Sequence, residues 1–169
     1  MIPIIIIAAV CLVGVIVYMQ KKEDKDDLGA IDPDFKPAYD RFIVEAQKAN
    51  IELPDKLITI QYGNTHGNSA LTHDLLGDKP RIVVTKKFKD NPSSWVMLLI
   101  FHELGHAYFH LPHVKGHNSI MSSGSFSDLI KANPLLPSYL NEFWDFCKMA
   151  QDKKIGTFYD YENGMWDGK

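Results

Sequence analysis

Cysteine is nearly missing. Only Cys11 and Cys147 occur in 169 residues, which excludes a disulfide-stapled secreted scaffold. Surplus positive charge is also missing. Lys and Arg total 18 against 21 Asp and Glu, for a net charge of -3, so a nucleic-acid binder working through bulk charge is excluded. No internal repeat appears, and no low-complexity tract beyond one charged stretch near the start. The length suits one domain. Apolar residues at 46% and charged residues at 23% give a globular balance.

Charge is also lacking between Ile2 and Met19. Eighteen apolar or small residues approach the minimum for a helix that spans a bilayer. The flanks lack the positive n-region and small-x-small exit of a cleaved leader. Val10 before Cys11 is a poor match to a lipoprotein site. The run therefore reads as an uncleaved, single-pass anchor over residues 1–20. Lys21, Lys22 and Lys25 follow it and favour a cytoplasmic location for what comes next. Residues 21–31 read as a charged, solvated stalk. Residues 32–169 form the folded domain.

That domain reads as α+β. Asp32-Pro33 suggests a helix start, and Phe35, Tyr39, Phe42, Ile43, Ala46 and Ala49 recur at helical spacing, with Asn50 as the stop. Residues 57–62 alternate as a strand and end at Gly63-Asn64. Residues 81–85 read as a second strand, with another short one expected around 70–76. A helix at 95–109 is apolar nearly all round, which marks it as buried. Residues 111–127 are irregular. A last helix at 138–153 carries Tyr139, Leu140, Phe143, Trp144 and Cys147 on one side.

Histidine is the abundant exception. Five of the seven lie from His102 to His117. His102-Glu103-Leu104-Gly105-His106 sits late in the buried helix and is an H-E-x-x-H pattern. Histidines at i and i+4 share one helical face, so two imidazoles can grip one zinc ion while Glu103 reaches a water beside it. A buried Glu with two buried His is costly without a compensating charge, and a metal supplies one.

A catalytic zinc takes a third protein ligand and leaves a position open. His110 continues the series, but it lies about 12 Å along the helix from His102, too far to share an ion. His113 is better placed, because Pro112 disfavours helix at Leu111 and lets the chain turn back. His117 is a weaker option on the same loop. Glu142, from the last helix, is a different solution.

From His102 to His113 and on to Ser119-Ile120-Met121, the chain resembles the metzincin clan of zinc peptidases. The resemblance implies a twisted, mostly antiparallel or mixed sheet packed on the active-site helix, with the last helix behind. It implies zinc held by His102, His106 and His113, with Met121 in a turn that forms an apolar floor. It also implies that the strand at 81–85 edges the cleft and accepts an extended peptide. Two departures stand out. His113 comes seven residues after His106 rather than six, and Phe109 takes the place of the clan's turn glycine, followed by His110. This longer step resembles small bacterial and phage variants.

The function that follows is zinc-dependent endopeptidase, acting on protein or peptide substrates with Glu103 as general base. His110 and His117 are candidate helpers at the oxyanion. Alternatives are a gluzincin-type peptidase using Glu142, and a membrane-tethered zinc protein without turnover. A structural site would prefer a fourth ligand, often Cys, and Cys147 is distant in sequence. A metal-uptake patch is a third reading, which would call for exposed histidines. No obligate partner is called for.

Overall fold

A computed structural model describes residues 29–73, 77–91, 93–114, 119–122, 137–152 and 165–166. The expected anchor and most of the stalk lie outside the described residues, as does His117. Among the described residues no helix is long and apolar enough to cross a membrane.

The chain is a small α+β unit. Helix α1 (Lys36–Lys48) is followed by strands β1 (Thr59–Gly63), β2 (Ala70–His73) and β3 (Arg81–Thr85), then helix α2 (Ser93–Phe109). A two-residue strand β4 (His113–Val114), helix α3 (Pro137–Gln151) and a two-residue strand β5 (Met165–Trp166) complete the order. Helix α1 starts later than the Asp32-Pro33 pair suggests. Asp32 instead folds a local turn, its Oδ1 accepting the Asp34 N–H at 3.0 Å, and Pro37 occupies the helix's first turn. Asn50 stops the helix at a φ of 55°, where its short polar side chain tolerates left-handed backbone.

The sheet is mixed, in the order β1-β3-β2, with β1 parallel and β2 antiparallel to β3. This corrects one expectation. The strand at 81–85 is central and has no open edge. Its unbroken Ile82-Val83-Val84 run, buried throughout, is what a strand flanked on both sides requires. The outer side of β1 is covered in turn: the Ile60 N–H donates to the Ala30 carbonyl at 3.0 Å, and the Asp32 N–H to the Ile60 carbonyl at 2.9 Å. Among the described residues β2 therefore carries the sheet's open border.

Helix α2 runs through the middle of the core, buried from Leu98 to Gly105 and from Ala107 to Phe109. Phe42 of α1 meets Phe101 and Trp144 at 5.2 Å between ring centroids, and stacks on Tyr108 at 5.8 Å. One aromatic side chain thus ties α1 to both other helices. Burial of a ring of this kind stabilises by about 1.5–3 kcal/mol. The Tyr39 and Tyr108 hydroxyls meet at 3.1 Å, so the polar ends of that layer are also paired. The result is a rigid central helix whose last two turns carry the histidines.

Candidate metal centre

Helix α2 ends because His110 adopts a left-handed φ of 55°. Its N–H donates to the His106 carbonyl at 3.0 Å, the single bond of an αL helix stop. The Leu111 N–H then donates to the Gly105 carbonyl at 3.2 Å, and Lys56 Nζ donates to the Ala107 carbonyl at 2.7 Å. The chain leaves the helix sharply and returns as β4, which begins with His113.

The turn brings three imidazoles together. His102 Nε2 and His106 Nε2 are 3.0 Å apart, and His113 Nε2 is 3.1 Å from each. Among the described residues these three form a group of donors with metal-binding spacing. Glu142 is not in it, nor are His66, His73 or His110. His110 is exposed, with Nε2 3.4 Å from Lys56 Nζ. Cys147 is a free thiol buried in α3; burial raises its pKa well above the ordinary value, which suits packing rather than ligation.

The tautomers follow from the hydrogen bonds. His102 Nδ1 lies 2.7 Å from the Ile120 carbonyl, and His106 Nδ1 lies 2.5 Å from the Leu111 carbonyl. A carbonyl only accepts, so each Nδ1 donates and each Nε2 is left with a lone pair. Two such lone pairs face one another at 3.0 Å. A cation between them turns that repulsion into ligation. A carbonyl on the far ring nitrogen is also the usual support for a ligating imidazole.

The rings are neutral at ordinary pH. Burial, then the neighbouring His113, lowers the His102 pKa to about 4. Burial, then His102, lowers that of His106 to about 3. Burial lowers that of His113. Neutral imidazole is the form that binds metal. Glu103, also buried, has its pKa raised by desolvation, against opposing contributions from His106, Thr72 and His73.

Met121 is fully buried in the turn that follows. A Cβ on Gly105 would stand 2.8 Å from Met121 Sδ, so the side chain packs directly on the histidine helix. The turn also holds the histidines in place. Its Ile120 carbonyl receives His102, and its Met121 carbonyl accepts the Val114 N–H at 2.8 Å. Ser119 Oγ accepts the Met121 N–H at 3.2 Å, and Ser122 Oγ the Ser119 N–H at 2.9 Å. This closes the turn on itself.

The chain matches no protein-family model, no curated protein and no solved structure. The site must be read from its own geometry.

That reading adds residues the motif does not contain. Thr72 of β2 places Oγ1 2.5 Å from Glu103 Oε2. The strand's alternation could have directed attention to Thr72, since Ala70 and Thr72 share a face, but nothing local links it to a carboxylate 31 residues on. Gly105 is a second such residue. A glycine inside a buried helix signals close approach, without saying of what.

Proposed function

We propose that this chain is a zinc-dependent endopeptidase. The observation that carries the reading is the convergence of three imidazole Nε2 atoms, two of them unprotonated by the hydrogen bonds their Nδ1 atoms donate, with Glu103 on the same turn of a buried helix. Nitrogen donors suit zinc, and three protein donors leave a position open for water or substrate. A bound zinc ion would supply Lewis acidity and lower the pKa of water toward ~7.

The chain's own groups do the rest. His102, His106 and His113 would hold the ion. Glu103 would take the proton from the attacking water and pass it to the departing amine. Its burial favours this, because desolvation raises the proton affinity of the carboxylate. The open border of β2, beside Glu103, would offer backbone groups to an extended peptide. It takes over the role expected for residues 81–85.

Two alternatives have less support. A gluzincin-type site would need Glu142 among the donors, and His113 stands there instead. A purely structural zinc site closes with four protein ligands and has no use for a buried carboxylate beside it.

The deciding experiment is Glu103→Ala in zinc-loaded protein. Zinc content should stay equimolar while hydrolysis of casein or a peptide library drops by about 10² or more. Undiminished cleavage would refute the mechanism, and cleavage by neither protein would return the site to a non-catalytic role.

A further inference from the structure

We infer that Thr72 is a positioning residue, whose hydroxyl fixes one oxygen of Glu103 and so reserves the other for proton transfer. This rests on the proposed function only in placing Glu103 at a metal. Thr72 sits on β2 opposite Ile82 of the central strand. Its Oγ1 is 2.5 Å from Glu103 Oε2 and 3.5 Å from the Glu103 backbone carbonyl. The hydroxyl has a single proton, and the short contact takes it. Glu103 Oε1 has no hydrogen-bond partner among the described residues. The two oxygens are therefore inequivalent: Oε2 is tied to the sheet, and Oε1 is available.

The chemistry of the donor matters. A buried carboxylate satisfied by Lys or Arg is oriented but also neutralised, and it becomes a poorer base. A threonine hydroxyl orients without adding charge. A glutamate side chain turns about three torsions, and holding one oxygen limits where the other can be. Because Thr72 belongs to β2, which has no second neighbour strand among the described residues, the base is referenced to the same strand that would receive a peptide.

The test uses the full chain loaded with zinc and acetohydroxamate as probe. The neutral acid form of this small chelator would bind the metal as its anion and give its hydroxyl proton to a neighbouring base. T72V should bind acetohydroxamate about tenfold more weakly or worse, the loss of one hydrogen bond to a charged group. T72S, which keeps the hydroxyl, should stay within about twofold. In an E103Q background, T72V should cause no further loss, because the two residues act as one unit. Zinc affinity, measured by competition with a chromogenic chelator, should be unchanged throughout, since Thr72 touches no ligand. If T72V loses zinc with its fold, T72A, which removes the hydroxyl and leaves more room, takes its place in the same comparison.

Equal hydroxamate affinity in wild type and in the hydroxyl-free variant overturns the inference, as does an effect that persists in full on E103Q. Zinc-loaded wild type that fails to bind the probe overturns it too. Peptide cleavage is scored separately. Wild type that binds the probe and cleaves nothing removes the peptidase reading and leaves the role of Thr72 intact.

Discussion

At the scale of single residues, each imidazole is specified by an atom outside the motif. His102 depends on the Ile120 carbonyl, His106 on the Leu111 carbonyl, and His113 on the turn at His110. Ligand identity is the first thing to measure. His113→Ala should weaken zinc binding by more than the ~10–100-fold typical of losing a supporting contact. Glu142→Ala should leave it unchanged. Chelator competition on both variants checks this, and the opposite ranking would favour the gluzincin-type site. The metal-free protein should also be sensitive to acid. The folded-state pKa values of His102 and His106 lie below the unfolded value of about 6.5. Between roughly pH 6.5 and 4 the unfolded chain therefore binds protons that the folded chain refuses. Stability falls as pH drops through that window, by about 1.4 kcal/mol per pH unit for each histidine. Glu103 acts in the opposite sense: its raised pKa makes the fold lose stability as pH rises above about 4.5. Urea titration of metal-free Glu103→Gln across this range should therefore give a steeper slope than wild type. An identical slope would mean that Glu103 is not desolvated as described.

At the scale of elements, the histidine helix, the methionine turn and β4 behave as one assembly. Gly105 is where helix and turn touch. An added Cβ would meet Met121 Sδ at 2.8 Å and Phe143 Cε2 at 3.0 Å, and Met121 is fully buried. Overpacking of this kind costs about 1–3 kcal/mol, which outweighs the gain of up to ~1 kcal/mol in helix propensity from Gly to Ala. Gly105→Ala should therefore be destabilised in urea denaturation and should also lose zinc affinity, because the displaced turn carries the His102 support. Unchanged stability would show that the turn is not packed as described. The elements themselves were largely legible in the sequence. The stripe of Phe42 and Ala46, the apolar run of α2 and the Phe143-Trp144-Cys147 face are periodic patterns that burial alone produces. The starts were less so. Asp32 suggests a helix start, but a short carboxylate can close a local turn just as well, and here its Oδ1 accepts the Asp34 N–H. The two-residue strands β4 and β5 are too short to carry any pattern.

At the scale of the whole molecule, an ion held by His102, His106 and His113 would become a part of the fold. At free zinc near 100 times Kd, binding should add about 2.7 kcal/mol, which for a domain of this size is roughly 5–10 °C in Tm. A thermal scan with and without chelator measures this, and a chelator-independent Tm would argue against a bound ion. Long-range order is where the sequence was hardest to read. A step of seven from His106 to His113 is visible along the chain, but Thr72 beside Glu103 is a contact between distant segments, and so is the placing of 81–85 in the middle of the sheet. The clue to that placement was present: three consecutive buried aliphatics are at odds with a rim. The corrected order has a consequence for self-association. A bare β rim is ordinarily a template on which copies of a chain aggregate, and proteins blunt it by keeping it brief and polar. Among the described residues β2 answers to that pattern, with four residues and with Thr72 and His73 at its end.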